Sequence, residues 1–433
     1  MKCSNCNSEN WEVVDQYRFK DKDKNGKKIN MSICRECSFV SYPDKYMTKE
    51  EIFKHYRESY RPAPNVNNLF TGQRKNHFHA AFLKDLFEQW NKEGKSKPAI
   101  CDVGTAFGMS LGLFKTIFPQ ADIYGTELTS TMKRVAYHEF GIKLTDEIDE
   151  TVKYDMIMSY KVLEHQLDPM DELKKYAKLL KSDGVLYISV PTWFNSLSNF
   201  GLDGFDLEYY YDPNHINVWT REMFENMLMR SGFEIIKQDH VIYGDTYLCK
   251  PCIKYLDLPV LKLDVEKSIE NLAKVKAAFL QFVDYQYEKA IEIWPDYPQA
   301  WTAKLEMNRK VIADKGFDFF HENFIKPMIA ACPNAPEAII SATDFAMRAR
   351  QLQLAIDYAN KALEMKPNNP VTMGQLINIF KELALNTTDE KEKIAYFKKA
   401  KEFAGHLMNV SLQNRDEAIS NIYLINSLIP IED

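Results

Sequence analysis

The stretch Ala99-Ile100-Cys101-Asp102-Val103-Gly104-Thr105-Ala106-Phe107-Gly108 decides how this chain is read. Ala99, Ile100, Cys101 and Val103 make a short apolar strand, Gly104, Ala106 and Gly108 a tight turn, and residues 109–118 pattern as a helix. Small residues at such a turn let backbone approach a ligand closely and aim a helix N-terminus at it. A second strand over 123–125 delivers Glu127 about where a doubly wound sheet places the carboxylate that binds a ribose. Dinucleotide sites expect their third glycine one residue later, where this chain has Met109, so the spacing favours S-adenosylmethionine (SAM) over NAD.

Residues 153–158 read as a further strand, followed by Ser159-Tyr160-Lys161-Val162-Leu163-Glu164-His165. Asp168 and Pro169 open a helix over 170–180 with Leu173, Tyr176, Leu179 and Leu180 on one side. A turn at 182–184 then leads into a strand over 185–191. This succession resembles the class I SAM-dependent methyltransferases, especially the branch whose fourth strand ends in the motif seen here as Val162-Leu163-Glu164-His165. The resemblance covers roughly residues 75–250 and implies an α/β fold, a Rossmann-like doubly wound sheet, in a catalytic domain over 75–255. It implies that Asp102, Gly104, Ala106 and Gly108 pass the methionine end of SAM and that Glu127 holds the ribose hydroxyls. Ser159, Tyr160 and Lys161 would line the methionine or the transferred methyl. Ala106 stands where that family usually has glycine; one added methyl is expected to tighten the packing without loss of binding.

With 433 residues, 45% of them hydrophobic and 27% charged, the chain has room for two or three domains with their own cores. No apolar run approaches the ~18–20 residues that span a bilayer. The opening Met1-Lys2-Cys3-Ser4-Asn5-Cys6 lacks the apolar stretch of a signal peptide, and a cytoplasmic protein is expected. A net charge of −6 (61 acidic against 55 basic residues) argues against nucleic acid or an anionic membrane as partner. The basic run at 20–28 has interleaved aspartates and Asn25-Gly26, and reads as a solvated hairpin tip.

Cys3/Cys6 and Cys34/Cys37 are Cys-x-x-Cys pairs flanking strands over 11–19 and 29–33. Two such knuckles at the ends of a hairpin place four thiolates at the corners of a tetrahedron, so residues 1–45 read as a zinc ribbon with a closed, structural Zn²⁺. The alternative, two disulfides, lacks any mark of an oxidising compartment. Cys249 and Cys252 form a third pair just beyond the last expected strand of the sheet and read as two unpaired thiols; Cys101 and Cys332 read as packing residues. A zinc ribbon followed by a helical connector over 46–74 and then a SAM domain resembles methyltransferases of sugar and polysaccharide pathways. Deoxysugar C-methyltransferases share this order, but the C-terminal α/β domain they usually carry is not found here, which leaves O- or N-methylation open.

From about Val265 the pattern turns helical. The junctions at 290–298, 328–336 and 362–370 share a Pro-Asx turn, with first prolines Pro295, Pro333 and Pro367 spaced 38 and 34 residues apart. A helix ending in such a turn at a ~34-residue period resembles tetratricopeptide-like repeats, giving an all-α domain over 265–433. These repeats would offer a platform to a protein partner, a second subunit or an extended acceptor; the alternative is a helical appendage that only stabilises the catalytic domain.

A methyl acceptor must be aligned and, if it is a hydroxyl, deprotonated. His215, beyond the fifth strand and beside the aromatic segment 205–211, is the first candidate base, and His165 the second. Trp193, Phe194, Phe205 and Tyr209 would wall the acceptor. The expected function is methyl transfer from SAM to a carbohydrate, nucleotide-sugar or glycan acceptor, with O-methylation favoured over N- or C-. The alternative is a protein-directed methyltransferase, or a SAM-binding interaction module, whose repeats dock a protein.

Overall fold

Strand and helix follow the apolar pattern along most of the chain. The computed structural model describes residues 2–18, 28–42, 48–58, 76, 78–192, 215–241, 244–410 and 415–429. Among these, ten strands occur: β1 (Trp11–Arg18), β2 (Lys28–Cys34), β3 (Val40–Ser41), β4 (Ala99–Val103), β5 (Asp122–Gly125), β6 (Tyr154–Tyr160), β7 (Leu180–Val190), β8 (Asn217–Val218), β9 (Phe233–Val241) and β10 (Gly244–Pro251). Two compact units emerge, Met1–Gln73 with Leu86–Lys276, and Arg74–Asp85 with Ala277–Asp433.

The first unit holds a six-stranded sheet in the order β5-β4-β6-β7-β10-β9. β5, β4, β6 and β7 are parallel, and β10 runs antiparallel to both its neighbours. Residues 154–159 of β6 are all buried, as a parallel strand covered on both faces requires. The chain leaves β4 to one side for β5 and returns on the other for β6, so the strand order reverses there. At such a switch point a crevice opens at the carboxyl ends of the strands. Helices Met109–Ile117 and Pro169–Leu179 are crossovers, the second capped by the Asp168 side chain, which accepts from the backbone N–H of Asp171 at 3.1 Å.

Two readings of this region are corrected. The turn expected at 182–184 lies inside β7: Leu180 pairs with Tyr154 and Val185 with Met156, so residues 181–184 bulge from the strand. Gly184 fits because a Cβ there would sit 2.9 Å from the Tyr154 carbonyl oxygen. Of the Cys249/Cys252 pair, only Cys252 lies beyond the sheet, directly after β10. Cys249 is fully buried within β10, between β7 and β9, and burial pushes its thiol up.

The N-terminal cysteine segment contributes a second sheet, β1-β2-β3-β8, whose last strand comes from residues 217–218. Phe39, Trp219, Phe224 and Tyr247 form a ladder of rings with centroids 6.2, 5.3 and 5.6 Å apart, running from the cysteines to the large sheet. Arg230 ends the helix Arg221–Arg230 and donates to the Asn5 carbonyl at 3.0 Å and to its Oδ1 at 2.8 Å. The cysteine segment therefore shares a core with the sheet unit. The expected hairpin tip at 25–26 lies outside the described residues.

The second unit is helical, from Tyr287–Ile293 to Arg415–Leu428. Its three Pro-Asx junctions close identically: the N–H of Tyr297, Ala335 and Asn369 donates to the carbonyl three residues back, at 3.2, 3.2 and 3.1 Å. Pro298, Pro336 and Pro370 then each open the next helix at its first turn, where the missing N–H costs nothing. No described helix is long and apolar enough to cross a membrane.

Candidate active site

The carboxyl ends of β4, β5 and β6 carry every residue singled out for SAM. Gly104, Ala106 and Gly108 have φ of +66°, +55° and +74°, so every second residue of the turn is left-handed. A Cβ on Gly104 would lie 2.6 Å from Val162 Cγ2, which reserves that position for glycine. Thr126, missed from sequence, pins the turn: its Oγ1 accepts from the Gly104 N–H at 3.0 Å and its carbonyl from the Thr105 N–H at 2.9 Å. Its own N–H donates to the Asp102 carbonyl at 3.0 Å, and Asp102 itself is buried at the end of β4.

Glu127 is half-buried and held at three points. Its N–H donates to the Thr145 carbonyl at 2.9 Å, its Oε2 accepts from the Ala106 N–H at 3.1 Å, and its Oε1 from the Thr129 N–H at 2.7 Å. One bond per oxygen leaves lone pairs for further donors, such as hydroxyls. Thr105 Oγ1 is buried without a hydrogen-bond partner among the described residues, beside the same turn.

Across the switch point, Ser159 is fully buried in β6, paired with Val103 and Ile188. Tyr160 and Lys161 are half-buried and carry the exposed part of that trio. Burial pushes the Tyr160 phenol to about 12. Lys161 turns the chain with φ of +62° and donates its N–H to the Ser189 carbonyl at 2.8 Å. A short 3-10 turn, Leu163–His165, follows.

The structure brings the two candidate histidines together. His165 and His215 have ring centroids 5.2 Å apart, and each Nε2 lies 3.9 Å from the same oxygen, Oε1 of Glu164. Two bonds tie the segments: the Ile216 N–H donates to the Glu164 carbonyl at 2.8 Å and the Asn217 Nδ2 to the Gln166 carbonyl at 2.5 Å. Tyr56, on helix Lys49–Glu58, meets the His165 ring edge-on at 5.6 Å. That helix is fastened to the same edge by the ion pairs Lys49–Glu147 and Arg57–Asp146. Glu164 was not foreseen, although its place beside His165 was the signal for it. The proposed aromatic wall, Trp193, Phe194, Phe205 and Tyr209, lies outside the described residues.

Residues 71–238 match the family model described as a methyltransferase domain. Residues 71–238 thus carry a methyltransferase domain. Among solved structures, a SAM-dependent methyltransferase from Clostridium acetobutylicum is 14% identical, over 43% of this chain and 100% of its own, with a TM-score of 0.32. The magnesium protoporphyrin IX methyltransferase of Synechocystis, solved with bound SAM, is 14% identical over 48% of this chain and 99% of its own, with a TM-score of 0.34. Similarity at that level says nothing about an acceptor. No curated protein matches the chain.

A second constellation lies in the N-terminal sheet. The sulfurs of Cys3, Cys6, Cys34 and Cys37 all fall within 4.8 Å of one another, with Cys3–Cys37 at 3.7 Å and Cys6–Cys34 at 3.5 Å. Four thiolates about 2.3 Å from a tetrahedral zinc sit about 3.8 Å apart, so the spacing fits that ion. The two knuckles are built alike: Asn7 and Ser38, each following the second cysteine, are left-handed at φ +63°, and each donates its N–H to the first cysteine's carbonyl. Hydrogen bonds to the Cys34 and Cys37 sulfurs, together with burial, push the Cys3 thiol up, so the sulfurs cannot all ionise without a cation among them.

Proposed function

We propose that the methyltransferase domain methylates an oxygen of a carbohydrate or nucleotide-sugar acceptor, with SAM as donor. SAM supplies an electrophilic methyl group. Asp102, Gly104, Ala106 and Gly108 would cradle its methionine end, Glu127 would accept from the ribose hydroxyls, and Tyr160 and Lys161 would border the methyl. The observation that carries the oxygen reading is the juxtaposition of His215, His165 and Glu164 at the end of β6. A hydroxyl must lose its proton as it is methylated, whereas a neutral amine needs little beyond positioning. His215 is the first candidate to receive that proton and His165 the second, with the Glu164 carboxylate stabilising the imidazolium that forms.

The same proposal assigns a structural zinc to Cys3, Cys6, Cys34 and Cys37. It reads the helical unit as a tetratricopeptide-like array, supported by its three identically closed turns. The test is turnover of SAM with a panel of sugar and nucleotide-sugar acceptors. His215→Ala should lower turnover on the true acceptor by ~10²–10⁴-fold, the usual cost of losing a general base, while SAM affinity stays within about twofold. Near-normal turnover in this variant would remove His215 from the reaction.

A further inference from the structure

We propose that Glu164, His165 and His215 form a binding site for a divalent first-row metal ion, with the acceptor oxygen as a further ligand. One carboxylate oxygen and one nitrogen from each ring lie within 4.8 Å of one another. Each Nε2 is 3.9 Å from Glu164 Oε1. An imidazole–carboxylate hydrogen bond needs about 2.7–3.2 Å, so this spacing is too wide for one. It is close to a ligand set: at metal–ligand distances of about 2.1 Å, two ligands of a tetrahedral ion stand about 3.4 Å apart. Small side-chain rotations close that difference.

The three donors are held before any ion arrives. Glu164 and His165 sit on one 3-10 turn, and the Ile216 N–H bonded to the Glu164 carbonyl fixes the segment bearing His215. The side chains of Glu164 and His215 are 1% and 5% exposed, and that of His165 is 14% exposed. An ion among them would be shielded by protein on most sides and reachable past His165. Two imidazoles and one carboxylate suit manganese, iron, cobalt or zinc better than magnesium, and three protein ligands leave positions open. An oxygen on an open position is polarised and loses its proton more readily. With its Nε2 on the ion, His215 would act as a ligand in place of a base, and the proton of the ion-bound oxygen would pass to solvent.

The site stands on its own geometry; only its task, holding an acceptor oxygen, rests on the methyl-transfer reading. The test uses Mn²⁺, which soft cysteine thiolates bind poorly, titrated into the full chain and followed by electron paramagnetic resonance, with SAM affinity measured in parallel. One saturable Mn²⁺ per chain is expected. Binding should weaken at least tenfold in Glu164→Gln and in His165→Gln, while SAM affinity stays within twofold and reports intact folding. No saturable Mn²⁺ binding, or binding unchanged in both variants, overturns the proposal. Mn²⁺ bound as expected by a chain that does not bind SAM supports the site and overturns the methyl-transfer reading instead.

Discussion

Gly104 bears the tightest constraint in the crevice, because both its backbone and its surroundings exclude a side chain. Its φ of +66° is left-handed, and an added Cβ would press to 2.6 Å on Val162 Cγ2. Gly104→Ala should cost about 1–3 kcal/mol and weaken SAM at least tenfold, since the turn must shift away from Val162. Chemical denaturation together with SAM titration would check this, and unchanged values for both would refute it. Ala106 is left-handed as well, at φ +55°, so its methyl brings a backbone cost as well as the tighter packing foreseen for it. Small residues at alternate positions were legible from sequence because a tight turn permits few other side chains. Thr126 and Glu164 were not. Thr126 acts through a side-chain oxygen on a backbone N–H, and a Thr after a strand carries no signature of that role. Glu164 looked like part of a motif, and its burial beside two histidines depends on residue 215, half a hundred positions further along the chain.

At the level of elements, β4, β6 and β7 were legible because parallel strands buried on both faces read as apolar runs, and the edge strand β5 was legible from Ile123 and Tyr124. β10 was not, and Asp245 explains why. A strand of Gly244–Pro251 that starts with Asp and Thr looks like a loop, yet here the carboxylate is buried and paired. Arg221 grips it at two points, Nε to Oδ2 at 2.9 Å and Nη2 to Oδ1 at 3.0 Å, and the Thr192 hydroxyl donates to Oδ2 at 2.7 Å. These bonds lock β10 to the helix Arg221–Arg230 and to the end of β7. Asp245→Ala leaves the half-buried Arg221 guanidinium without this carboxylate and should destabilise the unit by about 3–5 kcal/mol. A fall in the urea midpoint at unchanged slope would register that loss; a midpoint within error of the natural chain would contradict the role assigned to Asp245.

For the molecule as a whole, the sheet unit and the helical unit each carry their own core, and the cysteine segment belongs to the first. Its strands were legible from the paired cysteines, but its sharing of a sheet with residues 217–218 was not, since a two-residue bridge leaves no periodicity to read. Purified protein should carry a zinc that the Cys34→Ser variant lacks, and its removal should loosen the packing of Phe39 and Trp219, seen as a change in tryptophan fluorescence. Equal zinc in both proteins would place the metal elsewhere. The central claim is that the crevice at the ends of β4, β5 and β6 binds SAM, and Glu127 is its most direct test. Charge-assisted hydrogen bonds to ribose are worth about 1.5–3 kcal/mol each. Calorimetric titration should show one SAM bound per chain and at least tenfold weaker binding in Glu127→Ala; no binding by the natural chain, or equal affinity in the variant, would contradict the account.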